Sequence, residues 1–304
     1  MPLPASITQR LRLPLIAAPM LLVSGPDLVI AACRAGVIGS FPTKNCRTVD
    51  ELERWLARIQ EETEGRAPYA PNLIVHKTNT RLHDDMKLVE KYAPPLVITS
   101  VGSPAPVMDT IHAAGGLVFA DVASMRHVER ALAVGVDGLI LLTAGAGGQT
   151  GWANPLAFVR AVRSVFDGPV VLAGGVADGV ALRAAIVLGC DLAYMGPRFI
   201  APQQRLAAPA YKDMIVAASL DDIVLSRALT GLETNLLRPS VELAGVDTSA
   251  VGSLDAGATG VAANAPRRWK DVWSAGHTVA QVHDLPDVAD LVDRIAVEYA
   301  AAAG

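Results

Sequence analysis

Residues 131–141 read ALAVGVDGLIL and residues 185–195 read AIVLGCDLAYM. Each stretch ends a helical segment in glycine, turns through an aspartate and enters an apolar strand. Helix, glycine, turn and strand in repetition mark a parallel sheet whose crossovers are helices. Working outward from these two copies, the same rhythm predicts eight strands, over 13–20, 35–41, 69–76, 94–102, 116–122, 136–144, 169–176 and 190–196. Such near-continuous apolar strands need cover on both faces. Eight units in one chain predict a closed (β/α)8 TIM barrel spanning 1–304, with a doubly wound open sheet as the alternative.

The connecting helices carry their own start signals. In NPLAFVRAVRSVF (154–166), Asn154 stands as the N-cap and Pro155 occupies the first turn. Residues 200–280 break the rhythm with a stretch rich in Ala, Gly, Pro and Ser, including VDTSAVGSLDAGATGVAANAP (246–266), before a final helix over 281–304. The excursion leaves from the C-terminal end of the eighth strand, the face on which barrel active sites lie. It is therefore read as a lid-like insertion over that face rather than a plain surface loop.

Composition narrows the function classes. Hydrophobic residues make up 51% and charged residues 18%, which fits a large buried core and not a disordered chain. A formal net charge of −4 gives no electrostatic reason to expect nucleic acid. Cys33, Cys46 and Cys190 are scattered, odd in number and in no metal spacing, as expected of reduced thiols in a cytoplasmic protein. Arg10 and Arg12 before LPLIAAPMLLVSG imitate a secretory signal, but Pro14 and Pro19 interrupt the run and Pro26-Asp27 opens an amphipathic helix. No apolar stretch is long enough to span a bilayer, so no membrane partner is expected.

In a barrel, chemistry belongs just after the strands. Those positions hold Ala18, Pro19 and Met20; Asn72, His76 and Lys77; Thr99, Ser100 and Gly102; Asp121; Gly145 to Gln149; Gly174-Gly175; and Gly196-Pro197-Arg198. LAGGVADG and YMGPRF each end a strand in glycine and start a helix. Exposed N–H groups beside a helix start make an anion site, and two such loops at the last two strands point to a phosphate-bearing ligand. The phosphate alone leaves flavin, sugar phosphate and pyridoxal phosphate open. No Gly-rich loop with a trailing Lys-Ser/Thr is present, which excludes an NTPase of that kind.

APM at the end of the first strand, the Asn of PNLIVHKTN, AGAGGQTG, VLAGGVADG and YMGPRF come in an order and spacing similar to the nitronate monooxygenase family, formerly called 2-nitropropane dioxygenases. The resemblance runs over about residues 13 to 240, including SRALTGLETNLLR. It implies an FMN-dependent TIM barrel that works on a small molecule with O2 or NAD(P)H, and leaves a homodimer open. It places Ala18, Pro19 and Met20 along the flavin ring, Asn72 at its polar edge and Gly147 near it. Around the phosphate it places Ala173, Gly174, Gly175, Met195, Gly196 and Pro197. The implied reaction is oxidation of a nitronate or related anion, or hydride transfer from NAD(P)H to a quinone or enoyl thioester.

Three positions depart from the family pattern, which has His at Gln149, Lys at Asp121 and Thr at Pro197. An amide cannot abstract a proton near neutrality, but it can hydrogen-bond an oxyanion or nitro group. Gln149 is thus either a substrate-facing donor or a residue that only holds its loop. Asp121, also a candidate cofactor contact, introduces an anion near the ring that would disfavour an anionic substrate or a reduced anionic flavin, unless it pairs with Lys77 or Arg198; His76 or Asp121 is also the candidate to supply the missing base. Pro197 lacks an N–H, which Arg198 or Gly175 would have to replace. Trp152, beside the glycine loop, is expected to line the pocket, ahead of Trp269 and Trp273; His112, His127, His277 and His283 are expected at the surface or in packing.

Overall fold

The computed structural model describes residues 2–204, 206–250 and 270–303. Eight parallel strands close into a barrel: β1 (Leu15–Ala17), β2 (Ile38–Pro42), β3 (Tyr69–Ile74), β4 (Leu96–Ser100), β5 (Leu117–Val122), β6 (Gly138–Leu142), β8 (Val170–Ala173) and β9 (Leu192–Met195). Closure is made by β1 against β9, with Leu15, Ile16 and Ala17 opposite Ala193, Tyr194 and Met195. An open sheet is excluded. The strands are shorter than the apolar runs that announce them. Pro14 and Pro19 bound β1, because proline cannot donate to a ladder, and β4 stops where Val101 turns left-handed at φ +58°.

Alternation along each strand sorts side chains between two cores. Phe119 of β5, Ile140 of β6, Val171 of β8 and Leu192 of β9 point into the barrel. Val118, Leu139, Val170 and Ala193, their neighbours in sequence, pack outward under the helices. Both faces are buried, so polarity does not alternate along most of a strand. It appears toward the C-terminal ends, at the inward residues Asn72, Ser100, Asp121 and Tyr194 where the lumen opens, and at Ser40 and Thr99, whose hydroxyls donate to carbonyls of neighbouring strands.

The aspartates of the two repeats have a shared structural task. Asp137 accepts from Val118 N with Oδ2 at 2.8 Å while its own N–H donates to Val118 O at 3.0 Å. Asp191 makes the same reciprocal pair with Val170, both bonds at 2.8 Å. Each latch ties the entry of one strand to the entry of its neighbour and so sets register. His112 braces Asp137 and Arg163 braces Asp191.

The segment after β9 carries helices Pro209–Ala217 and Arg238–Leu243 and two strands, β10 (Ile223–Ser226) and β11 (Thr234–Leu237). These strands pair antiparallel, and β11 then pairs with β7 (Gly148–Gln149), a short strand within the glycine-rich loop after β6. The excursion is thereby stitched to the barrel mouth. Residues 251–269 of the expected insertion, with Trp269, lie outside the described residues. The last helix is Val288–Ala301, shorter than the expected 281–304, because residues 277–281 form a 3-10 turn and Pro286 follows. No helix among the described residues is long and apolar enough to cross a membrane. Cys33, Cys46 and Cys190 are free and buried.

Asp191→Ala removes a charged acceptor from a partly buried strand entry. Its urea midpoint is expected to fall by the equivalent of about 1.5–3 kcal/mol, the scale of a hydrogen bond to a charged group. A midpoint equal to the wild type would show that the latch does not hold the strand.

Candidate active site

A cavity of about 570 Å³ opens at the C-terminal ends of the barrel strands. Its lining includes Ala18, Pro19, Met20, Asn72, His76, Asp121, Gly147, Gln149, Ala173, Gly174, Gly175, Gly196 and Pro197. Met195 is not among them: its side chain is buried in the outer core, and it meets this region only through its carbonyl, which accepts from Ala18 N at 3.1 Å. Strand alternation explains this, since Tyr194 is the inward residue and Met195 the outward one. Trp152 is also a correction. It is 77% exposed and faces away from the cavity. Trp273 stacks on Tyr211 at 5.0 Å between ring centroids, in the segment that covers the mouth.

One end of the cavity is built from backbone. The N–H groups of Gly174, Gly175, Val176 and Gly196 donate to no acceptor within the described chain. Gly175 sits at φ +81°, where a side chain is strained, and a Cβ on Gly196 would meet nothing within 4 Å, so the space before it is open. An anion of phosphate size fits this cradle and would satisfy its free donors. Pro197 contributes none, and the Arg198 guanidinium is engaged elsewhere, on the Gln281 carbonyl at 2.5 Å.

The opposite wall is polar. Asn72 Nδ2 donates to Ser100 Oγ at 3.1 Å. Asp121 follows on the next strand: Thr99 lies opposite Ala120 in the ladder, which sets Ser100 beside Asp121. Asp121 pairs with neither Lys77, which is exposed, nor Arg198; its Oδ1 is sealed from solvent without a partner. Burial pushes its carboxyl up to about 7. Below that pH the residue is a neutral acid, so the expected repulsion of an anionic ligand is removed. His76 Nδ1 lies 2.8 Å from Thr78 Oγ1.

Two wall residues went unseen in the sequence. Lys44 follows β2, the one strand exit left out of the sequence reading. Its ammonium donates to Asn79 Oδ1 at 3.2 Å, and desolvation, then the Arg81 charge, lowers it from the ordinary lysine range. The Lys44 loop is clamped by Arg81, which donates to the carbonyls of Thr43 at 2.7 Å and Cys46 at 2.5 Å and pairs with fully buried Asp85 at 2.7 Å. Asn45 passes this order on, accepting from Leu22 N at 2.8 Å and donating to Ser24 O at 2.7 Å, so the loop after β1 depends on the same clamp. Tyr194, the second, was legible as the last inward position of its strand.

The glycines of AGAGGQTG serve packing. A Cβ on Gly147 would lie 2.7 Å from Gly276 N, and one on Gly276 would lie 2.5 Å from Gly145 O. Loop and covering segment meet backbone to backbone, fixed by His277 N to Gly145 O at 3.0 Å and by Asn235 Nδ2 to Ala146 O at 2.7 Å. With its main chain held by β11, Gln149 lines the cavity and its amide has no partner among the described residues. From the covering segment, Ile200, Tyr211, Thr230, Ser274 and Thr278 complete the lining. No group of metal-ligand type occurs among the described residues.

A family model described as nitronate monooxygenase matches residues 78–298. The chain belongs to this family. A "Nitronate monooxygenase" of Paraburkholderia phytofirmans is 24% identical over 77% of the chain and 76% of that protein. A Rhodococcus jostii protein named as an octahydro-indene carboxyl-CoA dehydrogenase is 26% identical over 74% of the chain and 62% of its own length. A "Putative monooxygenase" of Mycobacterium tuberculosis is 33% identical over 47% of the chain and 39% of its own length. The matches thus span less than two thirds of these last two relatives. FabK of Thermotoga maritima superposes with a TM-score of 0.80 at 22% identity, covering 99% of this chain and 97% of that one. A nitroalkane oxidase of Streptomyces ansochromogenes gives 0.80 at 23% identity, covering 98% and 99%. At these identities the two structures establish the shared fold.

Gly147→Ala places a methyl against the Gly276 amide and must part the loop from the covering segment. Hydrogen exchange at residues 274–278 is expected to accelerate, with the barrel strands unchanged. Wild-type exchange there would show that the close approach does not hold the cover.

Proposed function

We propose that this protein is an FMN-dependent oxidoreductase that oxidises a small nitronate or a related organic anion with O2. The observation that carries this reading is the two-ended cavity: a cradle of unsatisfied backbone donors at one end, a row of polar side chains at the other, and an uncommitted amide, Gln149, at the mouth. FMN, when bound, supplies a ring that accepts two electrons from an organic substrate and passes them to an acceptor. Gly174, Gly175, Val176 and Gly196 would hold its phosphate. Asn72 and Ser100 would bind the polar edge of its ring, and the backbone of Ala18 to Met20 would run along it.

The remaining residues act on substrate. Lys44 places a positive charge on the wall, which favours an anion. Gln149 donates a hydrogen bond to an oxygen of the substrate and accepts no proton, which suits a substrate that arrives already deprotonated. The covering segment, closed by the contact of Gly145 and Gly147 with Gly276, keeps bulk water from the reacting atoms. The dehydrogenase-named relative favours a second reading, transfer of electrons from NAD(P)H to an enoyl thioester or quinone. Anaerobic bleaching of the visible absorption by NADH rather than by propyl-2-nitronate would select it.

The purified protein is expected to be yellow with bound FMN. Gly196→Val, which fills open space at an ordinary φ, and Gly175→Val, which adds backbone strain, are each expected to abolish FMN retention while leaving the far-ultraviolet circular dichroism of the barrel unchanged. Folded variants with full FMN content would overturn the phosphate assignment.

Gln149→Ala is expected to lower nitronate turnover about tenfold to a hundredfold, up to the lower bound of about a hundredfold for loss of one positioned oxyanion donor. Gln149→His is expected to gain activity on neutral nitroalkanes, because imidazole accepts a proton near neutrality and an amide does not. Equal rates for wild type and Gln149→Ala would leave Gln149 as a loop residue.

A further inference from the structure

Among the described residues, few buried side-chain polar atoms lack a hydrogen-bond partner, and two of them, Asp121 Oδ1 and Tyr194 Oη, belong to residues lining this cavity. Tyr194 is 8% exposed. A buried hydroxyl or carboxyl left unsatisfied carries a desolvation penalty, so two at one site indicate a ligand that completes them. They stand on β5 and β9, at inward positions one step above Phe119 and Leu192 of the sealed core. Each is the first polar side chain above an apolar barrel interior, and that interior offers them no partner.

We propose that Asp121 and Tyr194 form a proton-supplying floor for the bound FMN: both face its electron-rich edge, Tyr194 donates to it throughout, and the Asp121 carboxylate takes up a proton, and only then donates, when that group gains two electrons. This rests on the flavin reading above. A neutral acid and a phenol stabilise negative charge on a ligand without a fixed cation, so charge arriving on the ring is compensated by a proton drawn from solvent. In balance, two electrons from the oxidised substrate reach the ring and one proton moves from solvent to the Asp121 carboxylate. When O2 takes the electrons, that proton is returned.

The other titratable groups facing the cavity are Lys44 after β2, His76 after β3 and Tyr211 of the covering segment. Tyr211 is committed, donating to the Ser274 carbonyl; Lys44 donates to Asn79 in the loop after β3, and His76 is paired with Thr78 in its own loop. Burial alone raises the Asp121 carboxyl, to about 7, while burial and then the Asp121 charge hold the Tyr194 phenol well above its ordinary range. Tyr194 therefore keeps its proton throughout, and Asp121 is the group that changes state.

Two measurements test this. In the as-purified protein, a carboxyl held at about 7 when folded and at about 3.9 when unfolded stabilises the fold at low pH, and this contribution is lost as pH rises through that window. The melting temperature of the wild type relative to Asp121→Asn is expected to fall from about pH 4 to about pH 7; a pH-independent difference would overturn the protonation assignment whether or not FMN is bound. In the FMN-loaded protein above about pH 7, dithionite titration is expected to give the wild type a midpoint potential that depends on pH more steeply than that of Asp121→Asn. One further proton per two electrons adds about 30 mV per pH unit. Tyr194→Phe is expected to keep the steep slope but to favour the oxidised form about tenfold more. FMN bound with equal slopes in wild type and Asp121→Asn would overturn this proposal alone, whereas a protein that binds no FMN would overturn the flavin reading with it.

Discussion

Closure of the barrel is the constraint on which everything else depends. Once Leu15 to Ala17 pair with Ala193 to Met195, no strand has a free edge, and each must bury one row of side chains in the lumen and the other under helices. The lumen fills with Ile, Leu, Val and Phe until the strands run out. The next inward residues have no apolar layer above them. Asn72, Ser100, Asp121 and Tyr194 occupy those positions, and the site is the place where the packing rule stops applying.

Two supports keep that open end ordered. On one side a buried ion pair, Arg81 with Asp85, holds the carbonyls of the loop after β2 and, through Asn45, the loop after β1. A buried pair of this kind adds little net stability against an apolar substitute, but loss of one partner strands a charge, so it is a rigid positioning device. On the other side, the contact of Gly145 and Gly147 with Gly276 brings covering segment and barrel loop to main-chain distance. In AGAGGQTG several glycines surround one glutamine. The glycines admit the cover, and the cover in turn presents the glutamine to the cavity.

The departures at Gln149 and Asp121 fit a common pattern. Neither carries a fixed positive charge: Gln149 is neutral by chemistry, and burial makes Asp121 a neutral acid below about pH 7. Positive charge remains at Lys44, on a different strand exit. On the reading proposed above, such a site would hold an anion through donors more than through fixed charge, and a proton rather than a cation would compensate what arrives.

How much was legible in the letters follows from the range of each interaction. Repetition of ALAVGVDGLIL as AIVLGCDLAYM is local, and with it came the eight strands, the barrel and the glycine cradle, because strand period, helix caps and turn chemistry act over a few residues. The lining positions after strands 1, 3, 5, 7 and 8 followed from the barrel rule alone. The sequence could not place Trp152, whose proximity to the glycine loop says nothing of which way the chain turns after it. Nor could it reveal the partnerless state of Asp121, the pairing of Gln149 with Thr234, or the meeting of Gly147 with Gly276 across more than a hundred residues. Those depend on what packs against what. The sequence by itself determined the barrel and the ends of its strands, through short-range periodicity. Only the tertiary structure decided which polar groups are satisfied, because burial and desolvation are set by distant neighbours.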